Sequence, residues 1–122
     1  MPFIISRVSS PLSDEQENAL KAGLGQVISI IPGKSEASLM LGFEDSYRLY
    51  LSGDNSLPMA YITVAVFSNR NHRGYEQLSE AISELFYRVL DIDPQRIFIN
   101  YEDIPAWGVA GWTFDERREG AE

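Results

Sequence analysis

Pro2 stands directly behind Met1 and directly ahead of the apolar run Phe3-Ile4-Ile5, and of all the residues in the chain it is the best placed for chemistry. Removal of Met1 makes it a secondary amine at the chain end. An ordinary α-amino group titrates near ~8, and burial among apolar side chains or beside another cation lowers that value and leaves a free base at neutral pH. Each unit of depression disfavours the cation by about 1.4 kcal/mol, so a shift of about one or two units suffices. The competing reading is structural, a proline that opens a strand where its missing N–H is tolerated. His72, the single histidine, lies in the polar run Ser68-Asn69-Arg70-Asn71-His72-Arg73-Gly74. That run reads as a loop, and a lone loop histidine is expected to be solvated rather than a proton carrier. The sequence has no cysteine, which excludes disulfides, thiolate metal sites and cysteine nucleophiles.

The elements that must position Pro2 fall into two similar halves. Pro2 to Val8 is apolar and β-branched enough for a strand, ended by Ser9-Ser10-Pro11. Ser13 reads as a helix cap with Gln16 at the capping-box position, and the acids Asp14, Glu15 and Glu17 suit the first turn. Leu20, Leu24, Val27, Ile28 and Ile31 then share one helical face, although Gly23 and Gly25 each cost the helix about 1 kcal/mol relative to alanine. Pro32-Gly33 stops it. Residues 38–44 read as a second strand and 47–52 as a short extra one before the turn Gly53-Asp54-Asn55. The plan then repeats, with a strand over 60–67, a helix from about 75 to 91 whose face is Leu78, Ile82, Leu85, Phe86 and Val89, and a strand over 96–101. A C-terminus containing Gly and Trp follows.

Two tandem strand–helix–strand units predict an α/β fold: a four-stranded mixed sheet with two helices on one face and short extra strands. The strand over 60–67 is apolar on both faces, yet only two helices are available to cover one of them. A closed oligomer packing sheet against sheet would bury the other face and the sheet edges, in preference to cover by the chain's own loops.

Length and composition agree with one domain, since 122 residues at 44% hydrophobic content support a single core. Residues 1–114 are expected to form it, and 115–122 a charged tail. The net charge of −8, with ten basic against eighteen acidic residues, argues against nucleic acid as a partner. No stretch approaches the roughly 20 apolar residues of a membrane span, and no signal peptide is apparent, so a cytoplasmic location is the expectation.

The start Met1-Pro2-Phe3-Ile4, the pair Gly33-Lys34, the block Pro58-Met59-Ala60 and the run Asp93-Pro94-Gln95-Arg96-Ile97-Phe98-Ile99-Asn100-Tyr101, with Gly111-Trp112 beyond it, resemble the macrophage migration inhibitory factor family of the tautomerase superfamily. The resemblance covers nearly the whole chain. It implies a homotrimer with three sites at subunit boundaries and a proline at the chain start acting as general base and acid in keto–enol tautomerisation. Lys34 would hold the substrate carboxylate and lower the pKa of Pro2, and Asn100 would reach the site from the neighbouring subunit. Phe3, Phe67, Val109, Trp112 and Phe114 would form its apolar wall. An aryl-pyruvate suits such a site, with no metal or organic cofactor. Phe98 stands where close members often carry a pocket tyrosine, so a substrate-facing hydroxyl is missing. Met59 and Ile62 occupy the places of the family's cysteine pair, which rules out its thiol chemistry. Two alternatives follow from the same resemblance: a dehalogenase or decarboxylase drawing on Arg70 and Arg73, and a cytokine-like interaction protein without catalysis.

Overall fold

The computed structural model describes residues 1–119. Its main sheet contains β1 (Pro2–Val8), β2 (Met40–Glu44), β3 (Ala60–Phe67) and β4 (Ile97–Ile104) in the order β2-β1-β3-β4. The β1–β2 and β3–β4 pairs are parallel, and β1 and β3 run antiparallel down the centre. Helices α1 (Asp14–Val27) and α2 (Tyr75–Leu90) make the two crossovers. A hairpin of β5 (Ala106–Val109) and β6 (Trp112–Asp115) stands apart as a second sheet, followed by the short helix α3 (Glu116–Glu119). The mixed sheet and paired helices expected from the sequence are therefore present, while the last residues of the expected tail, 120–122, lie outside the described residues. No described helix is long and apolar enough to cross a membrane.

Local chemistry accounts for the element ends. Ser13 Oγ accepts from the Gln16 N–H and the Gln16 side chain accepts from the Ser13 N–H, both at 3.0 Å, which completes the capping box. α1 is shorter than its apolar face suggests, because the chain tightens into a 3₁₀ turn at Ile28–Ile30 and Ile31 lies beyond it. Leu20, Leu24, Ile28 and Ile31 are nonetheless all fully buried, in one core with Ile4, Val8, Ile62, Val64, Leu78, Ile82 and Phe86. Gly23 has a packing reason: a Cβ there would lie 2.5 Å from Leu85 Cδ1, so α1 and α2 approach through it.

Two strand boundaries differ from expectation. Residues 36–38 form a 3₁₀ turn and β2 begins only at Met40. The segment 47–52 is not a strand: among the described residues it has no sheet neighbour, and an isolated bridge joins Leu51 to Asp54 around the turn at Gly53. The last main strand is longer than expected and reaches Ile104, paired residue for residue with β3 up to Phe67.

Candidate active site

β1 is a central strand, and Pro2 is its first residue, buried and paired with Val66. Proline is tolerated there because the ladder starts at it. Beyond it, the Met1 carbonyl accepts from the Phe67 N–H at 3.3 Å, which carries the pairing one residue further and fixes the chain start over the end of β3. The Met1 amine titrates below its ordinary value of 8.0, first because it is partly buried and then because Lys34 places a positive charge near it.

Lys34 reaches that end of the sheet through a short turn. Pro32-Gly33 follows the 3₁₀ segment, Gly33 adopts φ +79°, and the Lys34 N–H donates to Ile31 O at 3.1 Å. A left-handed backbone of this kind favours glycine, so the turn and the aim of the next residue are linked. Lys34 Nζ donates to Phe67 O at 3.1 Å. The residue whose N–H holds Met1 therefore holds Lys34 through its carbonyl.

An open pocket of about 800 Å³ lies against this chain start, lined by Pro2 and Phe3 from β1, Met40 from β2, Ile104 from β4, and Trp107 and Val109 from β5, with Met1 itself on the wall. The lining is largely apolar, the kind that disfavours a charged amine. The hairpin forms its outer side. Its turn is Ala110-Gly111, with φ of 55° and 82°, the left-handed pair that closes a two-residue hairpin. The sequence reading missed Ser38, Met40, Ile104 and Trp107 as neighbours of Pro2. Met40 is in register with Phe3 on the parallel partner strand, a signal available only once that pairing is known.

The other expected site residues divide into two groups. Phe67 is 8% exposed and packs edge-on against Phe114 at 6.3 Å between centroids, and neither lines the pocket. Trp112, at 75% exposure, projects from the hairpin outside the pocket. Phe98 and Asn100 lie on the same helix-free sheet face as Phe3, opposite Tyr61 and Thr63. Phe98 is four residues along the strand from the row of Ala65, roughly 13 Å. Neither touches the pocket of its own chain. Asn100 Oδ1 is buried without a hydrogen-bond partner, a condition rare enough in folded proteins to need a cause.

The polar loop is more ordered than the sequence suggests. His72 Nε2 pairs with Asp103 Oδ2 at 2.7 Å and its ring stacks on Tyr75, so it is tethered, not freely solvated. Tyr75 donates to Asp103 Oδ1 at 2.6 Å, and burial, followed by that carboxylate, pushes its pKa well above the usual value. Arg70 Nε lies 3.1 Å from Glu116 Oε1, an ion contact too bent to count as a hydrogen bond. Neither Arg70 nor Arg73 lines the pocket. Among the described residues no cluster of three His, Asp or Glu side chains forms a metal site.

No family model matches the chain, and no curated protein matches it in sequence. Solved structures do match. MIF2 of Leishmania major is 25% identical with a TM-score of 0.83, covering 93% of this chain and 97% of that one. The macrophage migration inhibitory factor homologue of Prochlorococcus marinus is 28% identical with a TM-score of 0.77, covering 92% and 98%. A protein crystallised after inactivation by 2-oxo-3-pentynoate is 18% identical with a TM-score of 0.80, covering 97% and 98%.

Proposed function

We propose that this chain, which belongs by fold with the macrophage migration inhibitory factor proteins, is a keto–enol tautomerase acting on a small 2-keto acid with an apolar body, with Pro2 as its base and acid once Met1 is removed. The observation that carries this reading is the position of Pro2: buried, on the wall of an apolar pocket, at a chain start whose amine is already biased toward its neutral form by burial and by Lys34.

The neutral Pro2 nitrogen takes a proton from the carbon next to the ketone. The C–H electrons form the C=C bond, the carbonyl π electrons move onto oxygen, and the proton returns to that oxygen to give the enol. The reverse path takes the enol O–H proton and delivers it to carbon. No electrons are gained or lost, and no co-reactant is consumed. Lys34, fixed by its bond to Phe67 O, is the cation for the substrate carboxylate. Phe3, Trp107 and Val109 supply the surface for its apolar body, and an aryl-pyruvate fits that division of charge and ring. The homotrimer belongs to the same proposal: Asn100 and Phe98 of one copy complete the pocket of the next, which gives the buried Asn100 Oδ1 a partner and covers Phe98.

Intact mass with phenylpyruvate enolisation on one sample tests the proposal. The Met1-free protein is expected to show a Pro2-dependent rate, with Pro2→Gly lowering kcat/KM by roughly 10²- to 10⁴-fold, the usual weight of a positioned acid–base group. A secondary amine adds to the electron-poor alkyne of 2-oxo-3-pentynoate, so that reagent should label Pro2. A processed protein that enolises no 2-keto acid, or whose Pro2→Gly variant keeps the full rate, overturns it.

A further inference from the structure

We propose that Arg70 is a positioning residue for the Pro2 pocket: through the buried carboxylate of Glu116 it holds the β5–β6 hairpin, and with it Trp107 and Val109, where an apolar 2-keto acid requires them. The substrate rests on the tautomerase reading above. The latch itself rests on geometry.

Three observations lead to it. The first is that the hairpin needs fastening. Its strands have four residues each and form a sheet separate from the main one, and a two-stranded hairpin by itself is marginal in water. Trp107 and Val109 therefore keep their place on the pocket wall only as firmly as the hairpin is tied to the body. One tie is apolar, the ring of Phe114 on Phe67. The second observation is a charge enclosed where the hairpin ends. The Glu116 side chain is 11% exposed, and its Oε1 is sealed from solvent and accepts no hydrogen bond. The Glu116 N–H donates to Pro105 O at 3.0 Å, so this carboxylate hangs on the residue that closes the hairpin base. Arg70 Nε, 3.1 Å from Oε1, is its ion partner. The basic residues that follow in sequence are engaged elsewhere, Arg117 with Asp115 and Arg118 with Thr113 O. The third observation is the origin of Arg70. It lies in the 68–74 loop, which leaves β3 directly after Phe67 and is tied to β4 by Ser68 N–H to Ile104 O at 3.2 Å and by His72 to Asp103. Arg70 thus joins the hairpin end to a loop anchored on a strand of the pocket.

A fully exposed ion pair contributes little, but here one partner is buried. Removing Arg70 leaves an enclosed carboxylate without its counter-charge, which is strongly unfavourable. Turning Glu116 out to water relieves that, and it carries the hairpin off the pocket. Arg70 does not line the pocket, so its loss reaches the substrate only through Trp107 and Val109.

The test uses Met1-free protein and two readouts. One is hydrogen–deuterium exchange at the carbon next to the ketone, followed by NMR for phenylpyruvate and for pyruvate. The other is exchange of the backbone amides of 106–115. Arg70→Ala is expected to raise KM for phenylpyruvate roughly tenfold, the scale of one lost apolar contact. It should leave kcat little changed, and KM for pyruvate likewise, since pyruvate has no ring to place. The hairpin amides should exchange about tenfold faster while those of the core keep their rates. Arg70→Lys retains the charge and should restore both readouts. Arg70→Ala combined with Glu116→Gln should recover part of the loss, because the buried group is then neutral, and this double variant decides the matter if Arg70→Ala alone unfolds. The proposal is overturned if KM rises equally for the two substrates, if Arg70→Lys restores nothing, or if the hairpin amides exchange as in the unaltered chain. Amide exchange does not depend on turnover. A processed chain that enolises no 2-keto acid therefore sinks the tautomerase reading and leaves the latch to be decided by exchange.

Discussion

The helix-free face of the sheet has two ends that differ in how the chain treats them. At one end Ala65 and Phe67 are buried, Phe114 packs on Phe67, and the hairpin stands over Phe3 and Ile104. At the other, Phe98 is 53% exposed and Tyr50 65%, although both belong to the same apolar surface. The chain covers with its own C-terminus the end that holds Pro2 and leaves the end that holds Phe98 for something else. Cover by the chain's own hairpin therefore reaches one end of the face only, and the homotrimer proposed above concerns the other.

If the proposed homotrimer holds, the two ends meet across copies, and complementation between variants tests it. Pro2→Gly chains and Asn100→Ala chains are each expected to be impaired alone, the first almost completely. Mixed in equal amounts and reassembled, they should regain about a quarter of the unaltered rate, since a closed ring of two chain types then contains sites that pair an intact Pro2 with an intact Asn100. A site built within one chain gains nothing on mixing, so activity that only averages the two variants in proportion at every mixing ratio would refute the shared site.

A smaller effect, on stability, contrasts the two ends directly. Phe67→Ala removes a side chain that is 8% exposed and packed on Phe114, and should cost about 3 kcal/mol or more in a denaturant titration. Phe98→Ala should cost the isolated chain under about 1 kcal/mol, since half of that ring faces water, and should act instead on association. Equal losses in the monomer would show that the open end is closed by the chain itself.

The sequence disclosed the parts of this molecule that depend on near neighbours. The Ser13–Gln16 box is complete within four residues, and the two helical faces follow from spacing alone. Pro2 could be singled out because its chemistry belongs to its position in the chain. The parts that stayed hidden depend on partners far along the sequence. Gly23 looks like a weak point until Leu85 is placed beside it, and Met40 becomes a neighbour of Pro2 only through the register of β1 with β2. The segment 47–52 has the composition of a strand, but composition does not supply a strand to pair with. Glu116 is visible in sequence only as one letter of a charged tail. Its burial is a property of the space around it.

Electrostatics at the covered end give a further test, in pH units rather than kcal/mol. The rate requires a neutral amine, so it should rise with pH through the pKa of that amine. Lys34 is one cause of the depression at the chain start, second to burial. A neighbouring cation disfavours protonation, so Lys34→Gln should move the acid limb of the processed enzyme to higher pH and raise KM by removing the carboxylate partner. A KM effect with an unmoved limb would assign Lys34 to binding alone.

The smallest expected effect concerns how the covering hairpin is held. Asp115, the last residue of β6, accepts from the backbone and side chain of Arg117, with Nη2 at 3.0 Å from Oδ2 and the backbone N at 2.9 Å from Oδ1. These bonds, the side-chain one first, hold its carboxyl down to about 2, against 3.8 ordinarily. A depressed carboxylate pKa contributes stability that is fully present above the ordinary value and is lost as pH falls through the folded one. The hairpin end should therefore loosen between pH 3.8 and about 2, ahead of the core, reported by the fluorescence of Trp107 and Trp112. Arg117→Ala should remove that separate acid step, because the pair that sets Asp115 apart in the folded chain is gone, at only a small cost to neutral-pH stability, since Arg117 is largely in water and an exposed pair contributes little. If Trp fluorescence and core unfolding stay coincident in both proteins, the hairpin is part of the core rather than a cover fastened at its base.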